Sequence, residues 1–202
     1  MSNYISINNQ RIELTDEQVE RIKDSFGLSA VKLADVPVGK IVKIGSHEMI
    51  VLEHTCGATK LIRMDLLHES MEFGSNNNYD GSNVDEACEV FADEIAGIVG
   101  EGNIVCHEVD LTSDDGLKDY GVVNRQASLI TADMYRHFVE ILDGFKVDGY
   151  WWLATPHSTE RHGNSSWVKC VSPSGYIDND FYYVDCGVRP FCILKSNIFV
   201  SK

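Results

Sequence analysis

The 202-residue chain predicts an α+β fold built on an antiparallel sheet. Strand-like runs open the main body, helical periodicity fills its middle, and strand-like runs return at the end. The last fifth, residues 150 to 194, reads YWWLATP, a polar insert, WVKCVSPSGYIDND and FYYVDCGVRPFCIL, three runs separated by turn chemistry. Strands and helices in blocks, rather than in alternation, argue against a wound parallel sheet.

The elements follow in order. Ile5, Ile7, Ile12 and Leu14 alternate with polar residues about Asn8-Asn9, which predicts a hairpin. Thr15 to Gln18 reads as a capping box opening a helix with Val19, Ile22 and Phe26 on one face and Gly27 at its end. This hairpin-helix, residues 1–30, is too small to stand alone and is expected to dock on the main domain, residues 31–202, or on a second copy as a homo-oligomer. The main domain starts with strands at 40 to 44, 47 to 53 and 59 to 64, turned at Gly45-Ser46 and Cys56-Gly57. Ile41, Ile44, Met49, Val51, Leu61 and Ile62 are its expected core. The loop GSNNNYDG precedes Ser82, which caps a helix with Val84, Cys88, Phe91, Ile95 and Ile98 inward. Residues 106 to 111 read as a short strand entering an acidic loop. Thr131 caps the next helix, with Tyr135, Phe138, Ile141 and Leu142 inward and Asp143-Gly144 at its end.

Composition excludes several functions. No apolar run approaches the ~18 to 20 residues of a membrane helix. The N-terminus lacks the basic and apolar regions of a secretory signal, so the expected location is cytoplasmic, or virion-associated for a phage structural protein. The net charge of −14 argues against ordinary nucleic-acid binding and against anionic membranes. It fits solubility, or an acidic surface that mimics nucleic acid. The six cysteines form no C-x-x-C pair and read as buried free thiols, with a Cys186–Cys192 disulfide as the alternative.

Candidate chemistry is sparse. Trp151 and Trp152 face opposite sides of a strand; one is expected in the core and the other under a loop or on a ligand surface. In Gly187-Val188-Arg189-Pro190 the guanidinium reads as a structural fork. His157, Glu160, Arg161 and His162 lie in HSTERHG, without a nucleophile elbow, and read as an exposed polar loop. Zinc from His157, His162 and Cys170 lacks a supporting frame. Asp178-Asn179-Asp180 supplies fewer oxygens than the about six to eight of a calcium site. Asp110, Asp114, Asp115 and Asp119 read as a solvated acidic run. No phosphate or dinucleotide loop is present, so no cofactor and no metal are expected.

The YWWL…GVRP arrangement resembles a bacterial and phage domain family of unknown function. Two further stretches carry the resemblance: VGKIVKIGSHEMIVL at 38 to 52, and Asn77-Asn78-Tyr79-Asp80-Gly81-Ser82. It spans about residues 33 to 194. The C-terminal layout is also similar to the C-type-lectin-like fold of formylglycine-generating-enzyme-like domains and phage variable receptor-binding proteins. The chain lacks the Glu-Pro-Asn or Gln-Pro-Asp loop and the Trp-Asn-Asp run of calcium-binding lectins. The resemblance implies a non-catalytic binding module of phage or prophage origin with a protein or glycan ligand. Loops 155–166 and 172–183 would present Trp152, Trp167, Tyr176, Asp178, Asp180, Tyr182 and Tyr183, with Trp151 and Arg189 structural. The rival readings are an acidic phage inhibitor of a host defence enzyme and an enzyme using Cys186 and Cys192.

Overall fold

The computed structural model describes residues 3–7, 10–15, 17–18 and 30–201. Strands β1 (Asn3–Ile7) and β2 (Gln10–Leu14) form an antiparallel hairpin. Thr15 and Gln18 then exchange the two capping-box hydrogen bonds, at 2.9 and 3.2 Å. The expected helical face of Val19, Ile22 and Phe26 lies outside the described residues.

In the main body, β3 (Ala30–Lys32), β4 (Ile41–Ile44), β5 (His47–Thr55), β6 (Ala58–Arg63) and β7 (His68–Glu72) precede helix α1 (Asn83–Val99). Four short strands follow: β8 (Ile104–Val105), β9 (His107–Asp110), β10 (Val122–Arg125) and β11 (Ala127–Ser128). Helix α2 (Ala132–Leu142) leads to β12 (Trp151–Pro156), β13 (Trp167–Val171), β14 (Ile177–Phe181), β15 (Asp185–Val188), β16 (Phe191–Lys195) and β17 (Phe199–Ser201). The architecture is α+β and mostly antiparallel.

The larger sheet runs β11-β16-β6-β5-β4-β17-β3, with β8 also on β16. Its last two members pair the ends of the main body, Val200 opposite Val31. The second sheet runs β14-β13-β12-β15-β7, and its β12–β15 contact is parallel. Gly45 closes the β4–β5 turn at φ +60°, a conformation that costs glycine nothing. A Cβ there would also stand 2.8 Å from Ile98 Cδ1, so the same glycine lets α1 approach. Ile98 therefore lies over the turn and stays 49% exposed, instead of entering the core as its helical spacing predicts.

Both faces of the larger sheet are covered, and the alternation of β5 shows it. Met49 and Val51 meet Phe91 and Ile95 of α1, whereas Ile50 and Leu52 meet Tyr135, Phe138 and Leu142 of α2. A further core joins the second sheet to the start of α1: Phe73, Tyr79, Val84, Cys88, Trp152, Cys170, Cys186 and Val188. Ser82 and Thr131 cap the two helices through the backbone N–H groups of Asp85 and Met134. Arg125 of β10 forks onto both oxygens of the buried Asp85, at 2.8 and 2.7 Å, and onto Asp80, tying the β9–β10 hairpin to the start of α1. No helix among the described residues is long and apolar enough to cross a membrane.

Candidate functional site

Three loops meet at one end of the second sheet, and Asn77 joins them. It is fully buried, and every polar group of its amide is used. Its Nδ2 donates to the carbonyls of Ser158 and Trp167, both at 2.9 Å, and its Oδ1 accepts from Tyr120 Oη at 2.7 Å. Its backbone N–H donates to Ser165. Tyr79, two residues on, fills the core beneath and accepts from Leu129 N. The Asn-Asn-Tyr-x-x-Ser stretch thus supplies a loop clamp, a core ring and a helix cap in six residues.

The acidic run lies exposed at the surface, as expected, and its carboxylates are also engaged by neighbouring side chains. Asp115 accepts from Ser113, Ser158 and His162 at 2.5, 2.7 and 3.0 Å. The Ser113 and Ser158 hydroxyls, joined by His162, hold its carboxyl well below the usual carboxylate range. Asp119 accepts from Thr159 at 2.6 Å and from Arg161. Asp114 takes Arg136 and Lys169. Residues 157 to 166 are therefore fastened to residues 113 to 119, and Ser158 and Thr159 are buried rather than part of an exposed loop. Ser158 and His162 share one oxygen of Asp115 instead of bonding to each other. A hydrolytic relay needs the histidine to accept the serine proton, and here the carboxylate accepts it.

On this clamped end stands a stack of rings. Trp167 of β13 lies opposite Phe181 of β14, with centroids 4.0 Å apart and planes tilted by 36°. Phe181 stacks on Tyr183 at 5.0 Å and 13°, and Tyr182 meets Tyr183 edge-on at 5.3 Å. Trp167 and Phe181 are half-buried, and Tyr183 is 52% exposed. Tyr182 is half-buried and packs against the core around Trp152. Tyr176 is exposed but precedes β14, about 17 Å of strand from Phe181, so it does not join the stack.

Asp178 and Asp180 turn out to serve the strand itself. Tyr182 N–H bonds to Ser166 and Ser172 N–H to Tyr176. This alternation directs the backbone groups of residues 178 and 180 to β13 and leaves the N–H groups of Asn179 and Phe181 on the outer edge. Those two donors are taken by Asp178 Oδ1 at 2.9 Å and Asp180 Oδ1 at 2.8 Å. The edge strand is capped by its own carboxylates.

Trp152 corrects the expectation of a ligand-facing indole. It is completely buried, donates Nε1–H to the Met71 carbonyl at 2.9 Å, and meets Phe73 edge-on. Trp151 fills the opposite core against Tyr135, under Arg189. Both faces of β12 are covered, so neither indole reaches a surface. Arg189, also buried, donates to the carbonyls of Arg63, Met64 and Phe145 at 2.8, 2.9 and 3.0 Å. A Cβ on Gly187 would come within 2.4 Å of Leu66 Cδ1, which explains the residue at that place in Gly-Val-Arg-Pro.

Cys186 and Cys192 are free and sit in different cores, so they form neither a disulfide nor a shared pocket. The Cys186 thiol meets that of Cys170 instead, and this contact with burial raises the Cys170 thiol. Burial alone pushes Cys192 up to about 12. Among the described residues, no group of three or more His, Cys, Asp or Glu side chains converges as metal ligands would. Compared with protein-family models, curated proteins and solved structures, the chain has no match.

Proposed function

We propose that the protein is a non-catalytic binding module that presents the Trp167–Phe181–Tyr183 stack to a protein or glycan ligand. One observation carries the reading: partly exposed rings stack at the adjoining ends of β13 and β14, beside a loop that Asn77 and Asp115 hold in place. Rings lose little side-chain freedom on binding and offer large contact area, which makes them effective anchors. The separation of Cys186 from Cys192 and the shared Asp115 contact of Ser158 and His162 count against catalysis there.

The reading extends to the fold and its setting. A compact antiparallel body with its end strands paired and its recognition loops gathered at one place supports a C-type-lectin-like domain, of the phage or prophage kind that the YWWL…GVRP pattern resembles.

The test is a screen of a glycan panel and a displayed peptide library, repeated with Tyr183→Ala. True ligands should be lost or weakened at least roughly tenfold while the melting temperature holds. Ligands that bind the variant as well as the wild type would place recognition elsewhere.

A further inference from the structure

We propose that the occupant of the ring stack is a cationic polypeptide segment that lays an arginine on Tyr183. The proposal rests on the binding-surface reading above and adds the chemistry of the partner.

Charge around the stack is unbalanced. The neighbouring cations are already neutralised: Lys169 by Asp114 at 3.3 Å and Arg161 by Asp119. Among the described residues, Asp185 and Glu72 have no ion-pair partner. Asp185 and Glu72 stand directly opposite each other in the β15–β7 register, where like charges repel. They lie beside the stack: Asp185 is two residues from Tyr183, and Phe73, next to Glu72, donates its N–H to the Tyr182 carbonyl at 2.8 Å. A cation between them would relieve that repulsion. An uncharged ligand would gain nothing from it, and an anionic one would meet the −14 charge of the whole chain.

The rings set the geometry. Phe181 is flanked by Trp167 and Tyr183, and Tyr183, which is 52% exposed, is the ring of the stack most open to a partner. A guanidinium is planar and weakly hydrated and stacks on such a ring, whereas an ammonium remains more strongly hydrated. Strand addition to β14 is opposed, because Asp178 and Asp180 already take the outward N–H groups of Asn179 and Phe181. Recognition therefore passes through side chains.

The experiment measures binding of a short fluorescent peptide alternating arginine and glycine, with lysine–glycine and glutamine–glycine peptides beside it, at near-physiological salt. The arginine peptide should bind best and the glutamine peptide not at all. Tyr183→Ala keeps the net charge and should weaken the arginine peptide about five- to tenfold, while Tyr183→Phe should keep most of the affinity. Glu72→Gln with Asp185→Asn should weaken it further and flatten its salt dependence. Equal binding to wild type and Tyr183→Ala would mean that the peptide only samples overall acidity, and would overturn the proposal. A neutral saccharide that binds through Tyr183 while the arginine peptide does not would overturn it too, and would leave the binding-surface reading standing. If no ligand responds to Tyr183→Ala, both fall.

Discussion

Arg189 holds three pieces of chain with one side chain. Its guanidinium bridges carbonyls on both sides of the 63–64 bend and at residue 145, and it covers Trp151 at 5.3 Å. No carboxylate among the described residues bonds to it, and burial lowers its pKa to about 10. Arg189→Ala would leave three carbonyls without their donor and should cost about 3 kcal/mol or more in a denaturant melt. Arg189→Lys should recover little, since a single ammonium cannot match the fork. Tyr183→Ala should cost under about 1 kcal/mol. An Arg189→Ala melt that superimposes on wild type would show the fork to be dispensable. The sequence made this residue legible because a guanidinium next to a proline at a strand end has few other uses. Trp152 was less legible: alternation says that two neighbours face opposite ways, not that both faces are covered. Asp115 was illegible for a different reason. Its partners Ser158 and His162 are 43 and 47 residues away, beyond any local pattern.

At the scale of elements, β14 combines an exposed edge with a defence against misuse of that edge. Unpaired outward N–H groups invite pairing with another chain, and natural sheets blunt such edges with charge. Here the two aspartates also satisfy the donors directly. The double variant Asp178→Ala with Asp180→Ala should change stability by less than about 1 kcal/mol yet scatter more light on prolonged incubation. Scattering equal to wild type would show that the caps do not guard the edge. The alternation of IDND was visible in the sequence, but which residues turned their backbone outward depends on the pairing register with β13. Elements with local signals are legible in the sequence. The β4–β5 and β5–β6 turns carry Gly45-Ser46 and Cys56-Gly57, and both helices start after the hydroxyl residue that caps them. The short strands β8 and β11, of two residues each, exist only because β16 receives them.

For the molecule as a whole, acid should act through named groups. His107 packs edge-on against Phe191, bonds through Nε2 to Ser128 at 2.9 Å, and keeps a buried Nδ1 without a partner. Burial lowers its pKa to about 4, and the Val105 carbonyl, near but outside hydrogen-bonding geometry, offsets only part of that. The unfolded histidine binds its proton near pH 6.5 and the folded one only near 4, so the stability from neutral His107 is complete above the unfolded value. It is lost as the pH falls through that window, by on the order of 2–3 kcal/mol. Asp115, held well below the usual carboxylate range, adds a contribution that disappears only at lower pH still. Melts from pH 7 to 4 should fall steadily, and His107→Gln should flatten the slope between about 6.5 and 4. An unchanged slope in the variant would assign the acid sensitivity to other groups. None of this was visible in the sequence, where His107 carried no pattern.

The pairing of β3 with β17 makes Ser201 the register partner of Ala30, which brings the two Cα atoms within about 5.5 Å. Topologically the main body is a ring with a narrow gap. A few added residues would close that gap, and the ring could then be reopened at a surface turn without unseating either sheet. For the same reason the body can be inserted into a loop of another protein, because the host chain would leave and return at nearly one point. The ring stack would remain intact on a domain carried as a pendant.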